Sequence, residues 1–334
     1  MTDDERTGPE LIRATRTFSQ ESRARSWWAV CSTFAVLAAL LALTALATWW
    51  PLQLAGSIAL GLVFVRIFVI YHDFIHGSIL RNSRLGRAVF YLFGVLAMTP
   101  PSIWKYSHNF HHAHNMQIET SNVGSFPVCT VETWRKKSFW DRFGYRITRH
   151  PVVVVFGYLT VFVYELCIDS FVTNPRKNWQ GGFAVLLHAT ILTLVWMFGG
   201  FSMLFFCVLL PFTVAASVGA YLFYAQHNFE GMYIQPTEGW SHSRASLESS
   251  SFMRMGRVMN WITANIGYHH IHHLNAMIPF YRLPDAMKGI PELQNPIMTS
   301  LHPGDILKCF RLKLWDPEQR RMVSFKDAEA ATAA

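Results

Sequence analysis

Residues 107–115 read SHNFHHAHN and contain four histidines in nine positions. Two other short stretches are similarly rich in histidine: YHDFIHGS at 71–78 and GYHHIHHLN at 267–275. In a helix, residues three or four positions apart lie on the same face. Each stretch is therefore predicted to present imidazoles on one helix face, and the residues with that spacing are His72 and His76; His108, His111 and His112; and His269, His272 and His273.

These eight imidazoles, with His227 in YAQHNFEG as a ninth, exceed what one metal ion binds, since a structural zinc site closes at four ligands. Two ions with four or five ligands each account for the set. Imidazole suits iron, copper, zinc and nickel. Iron is favoured because paired, histidine-rich centres at a membrane surface suit oxygen activation, which redox-inert zinc does not support. We predict no catalytic residue separate from the metal ligands, and these are His72, His76, His108, His111, His112, His227, His269, His272 and His273.

The remaining histidines and the nearby carboxylates give weaker signals. His114 and His270 break the helical spacing and are predicted to be neighbours of the ligands, while His188 is predicted to be a neutral histidine inside a membrane span. A ligating histidine usually donates its other N–H to a carboxylate or carbonyl. Four acidic residues are candidates for that role, and the sequence does not rank them: Asp73, Glu119, Glu230 and Asp285.

The composition of the chain indicates a membrane protein. Of its 334 residues, 51% are hydrophobic and 15% are charged, whereas soluble domains carry about 25% charged residues. The net charge is +8, but the basic residues do not cluster on an element that could contact nucleic-acid bases, so we predict no nucleic-acid partner. We interpret the charge as the positive-inside bias of a membrane protein. The five cysteines form no CxxC pair and indicate neither a disulfide framework nor a zinc site.

Two membrane spans are directly visible in the sequence. Tryptophan pairs bracket the uncharged residues 29–48, which would cover about 30 Å as a helix. Arginines that include Arg13, Arg16, Arg23 and Arg25 precede this span within a polar start that does not resemble a cleaved signal, so we predict a cytoplasmic N-terminus. A return span at 53–71, interrupted only by Arg66, would bring His72 and His76 to the cytoplasmic face.

The histidine groups constrain how the other apolar stretches are arranged. The groups can share one site only if an even number of crossings separates each from the next. The short stretch 86–100 ends at two prolines and is therefore predicted to be a dip or an interfacial hairpin. The stretch 151–173 contains two acidic residues and has basic flanks, among them Arg149, so it is predicted to lie on the cytoplasmic surface or to re-enter. The stretches 182–200 and 202–225 are predicted to form a hairpin near Gly199-Gly200.

The predicted fold is an all-α integral membrane protein whose cytoplasmic helical cap holds a histidine-rich di-metal site. Its four transmembrane helices would lie at about 29–48, 53–71, 182–200 and 202–225. Three regions are predicted: a cytoplasmic segment at 1–28, a membrane domain at 29–295 and a cytoplasmic tail at 296–334. The last residues, SFKDAEAATAA, are low in complexity and predicted to be disordered. Both termini would be cytoplasmic, at a bacterial inner membrane.

The motifs HDFIH, HNFHH and GYHHIHHLN, with the intervening spans and YAQHNFEG, resemble those of the integral-membrane fatty acid desaturases. The likeness covers about residues 30–295 and is greatest to acyl-lipid desaturases of the omega-6 kind. It implies a di-iron centre, with ligand roles for the eight motif histidines and for His227. It also implies that dioxygen and two electrons are consumed for each double bond placed in a lipid-linked acyl chain.

The electrons must come from a separate protein such as ferredoxin or a b-type cytochrome. The sequence HPGD at 302–305 resembles a haem-binding motif of fused cytochrome domains, but the 29 residues after it are too few for such a domain. Two alternatives remain open. A di-iron hydroxylase, ketolase or epoxidase of a lipid or terpenoid would share the site, and a histidine-rich metal transporter would place its ligands near the bilayer midplane.

Overall fold

The computed structural model describes residues 6, 8–120 and 123–330, and most of this part of the chain is helical. The α-helices are α1 (Gly8–Thr15), α2 (Arg23–Leu46), α3 (Trp50–His76), α4 (Arg84–Leu96), α5 (Pro101–Ala113), α6 (Val131–Lys136), α7 (Phe139–Thr148), α8 (Pro151–Val155), α9 (Ser170–Thr173), α10 (Trp179–Leu204), α11 (Leu210–Ala225), α12 (His242–Glu248), α13 (Arg257–Ile262), α14 (His269–Leu274), α15 (Leu283–Gly289), α16 (Pro303–Arg311) and α17 (Phe325–Ala330). Short 3₁₀ turns occupy Arg16–Phe18, Ile118–Thr120, Phe280–Arg282 and Pro291–Leu293, and π-helical stretches occupy Tyr158–Asp169 and Phe205–Leu209.

Four short strands form two separate pairs in the part of the chain outside the long helices. Strand β1 (Phe252–Arg254) pairs in parallel with β2 (Met298–Ser300), so that Met253 lies opposite Thr299. Strand β3 (Leu314–Asp316) pairs antiparallel with β4 (Arg321–Val323). The predicted helical fold is therefore confirmed in its main outline, with these two small additions.

Three helical segments of the described chain are long and apolar enough to cross a membrane: Arg23–Leu46, Trp50–His76 and Trp179–Ala225. The predicted span 53–71 lies within α3, and α2 ends at Leu46, two residues before the predicted end at 48. Helix α3 packs between α2 and α11 and is the most buried of the three segments. It is therefore the central helix of the bundle.

The third segment reverses direction at Gly200. This residue has φ 71° and ψ −178°, a conformation outside the helical region that glycine adopts at little steric cost. His188 and Phe212 lie twelve residues before and after Gly200, yet their ring centroids are 5.3 Å apart. In a straight helix, 24 residues would separate them by about 36 Å. The two arms therefore lie side by side, as the hairpin predicted near Gly199-Gly200 requires.

The stretches predicted not to cross both return to the end of the bundle where they began. Residues 151–173 enter beside α11, where Gly157 lies against Ala220, and return so that the carbonyl of Cys167 contacts Gly181 near the start of α10. Helix α4 carries Phe93 inward, with its ring centroid 5.3 Å from that of Phe64, before α5 leads back out. The stretch 151–173 therefore re-enters the bundle, and 86–100 forms part of a dip.

The prediction that the last residues, SFKDAEAATAA, are disordered is wrong for those of them that the structure describes. Strand β2 pairs with β1, and helix α16 packs against β2. Phe325 of α17 packs with its ring centroid 4.7 Å from that of Trp134, and Ala328 is buried in the same cluster. These apolar contacts order a segment whose composition alone suggested disorder. Residues 331–334 lie outside the described residues.

Arg149 is not the exposed flanking charge that the sequence suggested. It is fully buried, and its guanidinium donates to the carbonyl of Pro127 at 2.6 Å and to Oδ1 of Asn228 at 2.5 Å. The Lys313 ammonium donates to the carbonyl of Arg149 at 2.5 Å, and burial lowers the pKa of Lys313 to about 7. These buried cations link the re-entrant segment and the C-terminal region to the end of α11, directly beside His227.

Candidate metal centre

The histidine-rich stretches all lie at one end of the helix bundle. Helix α3 carries the first pair in its last turns and ends after His76 because Gly77 adopts φ 78°, a left-handed helix cap. Helix α5 carries the second set in its C-terminal half, and the six residues of α14 are HHIHHL. His227 follows the end of α11 by two residues. The structure therefore brings together, at one end of the bundle, the imidazoles that an even number of crossings between the groups would leave on one side.

The first group contains five histidines, and one ring nitrogen from each lies within 4.8 Å of those of the others: His72, His76, His108, His112 and His272. The Nε2 atom of His108 lies 2.7 Å from that of His72 and 3.2 Å from that of His112. The Nε2 atoms of His112 and His272 are also 3.2 Å apart. Four of the five side chains are buried, and His76 is partly exposed.

The second group contains four buried histidines: His111, His227, His269 and His273. The Nε2 atom of His227 lies 2.9 Å from that of His269 and 3.1 Å from those of both His111 and His273. One ring nitrogen carries at most one hydrogen, so it cannot share a hydrogen bond with all three neighbours. Nitrogen atoms that bind a metal at about 2.1 Å and at right angles lie about 3 Å apart. The donor set therefore fits a cation.

The two groups adjoin. The rings of His112 and His273 stack with centroids 4.1 Å apart and planes 7° apart. All nine histidines predicted as ligands lie in the two groups, whereas His114 and His270 lie outside both. His114 stacks on Phe110, and the Nε2 atom of His270 lies 3.4 Å from the carbonyl oxygen of Leu293. Both neighbouring histidines thus contact other parts of the protein.

Burial keeps these imidazoles neutral. It lowers the pKa of His227 to about 4, and burial together with neighbouring imidazoles lowers the pKa of His269, His272 and His273 well below the usual value. The same causes lower the pKa of His108, His111 and His112. A metal binds only the neutral form of histidine, so these side chains are ready to act as ligands near neutral pH.

Among the four candidate carboxylates, the structure distinguishes Asp73. Its Oδ2 accepts from the backbone N–H of Phe280 at 2.7 Å, and its Oδ1 lies 3.6 Å from Nδ1 of His72. Glu119 instead accepts from Thr237, Glu230 pairs with Lys308 at the surface, and Asp285 is exposed. Asp73 is therefore the candidate placed to orient a histidine of the first group.

Two neighbours of the groups were not found from the sequence. The carbonyl of Ser249 lies 3.0 Å from Nδ1 of His227, and a backbone carbonyl has no side-chain signature that could have revealed it. Trp104 stacks on His108 with ring centroids 4.9 Å apart and planes 8° apart. Its position one helical turn before His108 was the available signal.

The HPGD motif proves to be a helix cap, in which Nδ1 of His302 accepts from the N–H of Gly304 at 3.2 Å.

A large, mainly apolar cavity reaches the first group. It has a volume of about 720 Å³ and is bounded by α5, the re-entrant segment and α11, with His108 in its wall. A second cavity of about 30 Å³ adjoins it and shares the wall residues Phe68, Phe162 and Gly219. Tyr158 lines this smaller cavity, and its hydroxyl is hydrogen-bonded to His188. His188 is thus a hydrogen-bonded histidine within the apolar bundle, as predicted.

Comparison with known proteins gives consistent matches. A family model for fatty acid desaturases matches residues 47–297. A fatty acid desaturase of Bacillus subtilis (strain 168) is 30% identical over 325 residues, which cover 95% of this chain and 90% of that protein. An endoplasmic-reticulum acyl-lipid omega-3 desaturase (cytochrome b5) of Arabidopsis thaliana is 26% identical, with 72% of this chain and 63% of that protein covered. A chloroplastic sn-2 acyl-lipid omega-3 desaturase (ferredoxin) of Helianthus annuus is 27% identical, with 72% and 55% covered.

Proposed function

The chain belongs to the fatty acid desaturase family, and from that premise we propose that it uses two iron ions, dioxygen and two electrons to place a cis double bond in a lipid-linked acyl chain. The observation that carries the proposal is the pair of adjoining histidine groups beside a large apolar cavity. A ligand shell made of imidazole alone suits iron. The cavity is lined mainly by apolar side chains, which suit an acyl chain.

In the proposed centre, one ion is held by His72, His76, His108, His112 and His272, and the other by His111, His227, His269 and His273. Iron supplies oxygen-activating redox chemistry when it is bound at such a site. The protein's part is to hold the imidazoles neutral and fixed from three helices and to exclude water. Ser249 orients His227 through its carbonyl, and Asp73 orients His72 through its carboxylate. The cavity wall at His108 brings a methylene of the chain to the edge of the first group.

We further propose four membrane crossings, made by α2, by α3 and by the two arms that meet at Gly200, with residues 29–295 as the membrane domain. The basic residues before α2 support a cytoplasmic N-terminus. An even number of crossings then places the histidine groups, the folded cap and the C-terminus on the same side of a bacterial plasma membrane. At that end of the bundle, the groups are displaced from the midplane position expected for a transporter.

The electron donor is proposed to be a separate one-electron carrier protein. The names of two relatives specify cytochrome b5 and ferredoxin for those enzymes. No cysteine or histidine outside the two groups forms a further metal-binding cluster within the described residues. An external donor of either class would supply the two electrons in two encounters.

The smaller cavity provides a test of how the acyl chain is seated. We expect the chain to run from His108 along the large cavity and to end near Phe162, with the 30 Å³ cavity holding only about one or two water-sized groups. A Cβ added at Gly219 meets nothing within 4 Å, so a leucine there would project into open space where the cavities join. Gly219→Leu should therefore favour shorter acyl chains. For two chains that differ by two carbons, the yield from the longer one relative to the shorter one should fall by about 10-fold, because about 1.5 kcal/mol of methylene burial is lost.

That shift is measured by supplying acyl chains that differ by two carbons and quantifying the products of each. Gly256→Leu is the matched control, because a Cβ at Gly256 also meets nothing within 4 Å but Gly256 lies in neither cavity wall. The proposed seating of the acyl chain is wrong if Gly219→Leu remains active and keeps the wild-type preference among chain lengths.

The function itself is tested by expressing the protein in a host with a simple lipid profile and comparing total acyl chains with those from a His108→Ala control. A new species lighter by two hydrogens, present only with the intact protein, is the expected result. A species heavier by one oxygen would instead identify a hydroxylase or epoxidase. Acyl chains unchanged by the intact protein, with a functioning donor present, would contradict the proposal.

A further inference from the structure

Helix α7 carries an uncovered apolar face. Phe139 and Trp140 are 71% and 75% exposed, and Phe143 and Ile147 are 49% and 47% exposed. The spacing of these residues places them along one side of the helix. Their rings contact one another, as in the pair Phe139 and Trp140 with centroids 5.1 Å apart, but these contacts leave the outer surface of the patch open.

The opposite face of α7 is anchored in the cap. Tyr145 is buried there and donates from its hydroxyl to the carbonyl of Lys313 at 2.6 Å. The guanidinium groups of Arg142 and Arg146 lie 5.7 Å and 5.3 Å from the ring centre of Trp134. The helix is therefore fixed in orientation, with Tyr145 turned toward protein and Phe139, Trp140 and Phe143 turned outward.

The exposed face continues onto the membrane-facing surface of the bundle. The chain passes from α7 directly into α8, where Val152 and Val155 are 52% and 50% exposed. Helix α8 lies against α11, which belongs to a segment apolar enough to span a membrane. Arg149 joins the end of α7 to Asn228, just beyond the end of α11. Helix α7 thus sits at the level where the bundle meets the cap, and aromatic side chains at that level are typical of a membrane interface.

The end of α7 also forms part of the wall of the large cavity. Ile147 and Thr148 line that cavity together with Leu159 and Tyr164 of the re-entrant segment. Ile147, Leu159 and Tyr164 are also 47%, 55% and 59% exposed, so the cavity is bordered here by residues that are open to the surroundings. The same cavity reaches His108.

We propose that α7 lies in the plane of the cytoplasmic leaflet with its apolar face in the lipid, and that the acyl chain enters the cavity sideways from that leaflet, past Ile147 and Leu159. The entry route rests on the proposed function, whereas the placement of α7 in lipid does not. An amphipathic helix of this kind is buried about 5–10 Å into the boundary between headgroups and acyl chains. A chain still attached to a membrane lipid can then reach the site without its headgroup leaving the surface.

The placement is tested on the full chain reconstituted in phospholipid nanodiscs, with a phospholipid that carries a photoreactive diazirine near the headgroup end of one acyl chain. After illumination, mass spectrometry locates the labelled peptides. We expect label on Phe139–Thr148 as well as on the positive control around Trp28, which is 75% exposed at the start of α2, and none on the cap helix α12. An unlabelled α7 beside a labelled α2 overturns the proposal. So does an α7 that is labelled in discs holding one copy but unlabelled in discs holding two, which would make this face a dimer interface.

The entry route is tested with paired serine variants. Trp140→Ser with Phe143→Ser should lower turnover of phospholipid-bound chains by about 10-fold or more at unchanged metal content, because apolar contact with the leaflet is lost. The matched control is Trp196→Ser with Phe198→Ser, which removes two exposed aromatic residues of α10 outside the cavity wall and should leave turnover unchanged. Equal turnover in both double variants contradicts lateral entry. Since labelling requires no turnover, a labelled α7 in a protein that desaturates no chain would contradict only the proposed function.

Discussion

Replacing His269 by alanine is expected to reduce the iron content from two ions per chain to one and to lower desaturation by more than about 100-fold, since even residues behind the ligands change metal affinity by 10–100-fold. His269 is one of four imidazoles in the second group, and its Nε2 atom lies 2.9 Å from that of His227. Three ligands would remain, in a buried site that no other described histidine can complete. Iron per chain after anaerobic purification and product formation are the two measurements.

The matched control for this variant is the next residue on the same helix. His270 is equally buried, but its ring lies near the carbonyl of Leu293 and outside both groups. We expect His270→Gln to retain both ions. If the two variants lose iron to the same extent, the loss reflects damage to α14 and the assignment of His269 as a ligand fails.

Asp73→Asn is expected to weaken iron binding at the first group by about 10–100-fold, the usual effect of changing the partner of a ligating histidine. The substitution keeps the size of the side chain and an acceptor for the N–H of Phe280, but it removes the negative charge 3.6 Å from Nδ1 of His72. Affinity is measured by competition with a chelator of known strength, and the electronic spectrum of the iron reports a changed ligand field.

Glu230→Gln is the control for the loss of a carboxylate, because Glu230 pairs with Lys308 at the surface, where its side chain is 71% exposed. This variant should bind iron as the wild type does. Unchanged affinity and spectrum in Asp73→Asn would show that the carboxylate does not orient His72.

The candidate ligands could be predicted because their signal is local. His108, His111 and His112 stand at helical spacing within five residues, and that spacing places their rings on one side of α5 whatever the rest of the fold does. His227 had no such repeat and was predicted from its position at the end of a span. The requirement that all groups share one side then restricted the topology, including the reversal at Gly200.

Features that depend on the three-dimensional arrangement could not be predicted from the sequence. Asp73 follows His72 in the sequence, but its burial and the hydrogen bond from the N–H of Phe280, more than two hundred residues away, appear only in the folded chain. Arg149 was interpreted as an interfacial charge because nothing in the sequence indicates that Pro127 and Asn228 supply buried acceptors. The helix at 325–330 is ordered by contacts with α6 and α7, among them those of Phe325 with Trp134 and Tyr145, which a composition-based prediction of disorder cannot include.

The central claim is that nine imidazoles form two adjoining sites for redox-active metal. Its most direct test is the metal content of the wild-type protein, purified without oxygen and reconstituted with ferrous iron. The account predicts two tightly bound iron ions per chain, with spectroscopic evidence that they lie close together. A single ion, no retained iron, or two ions without magnetic interaction would contradict it.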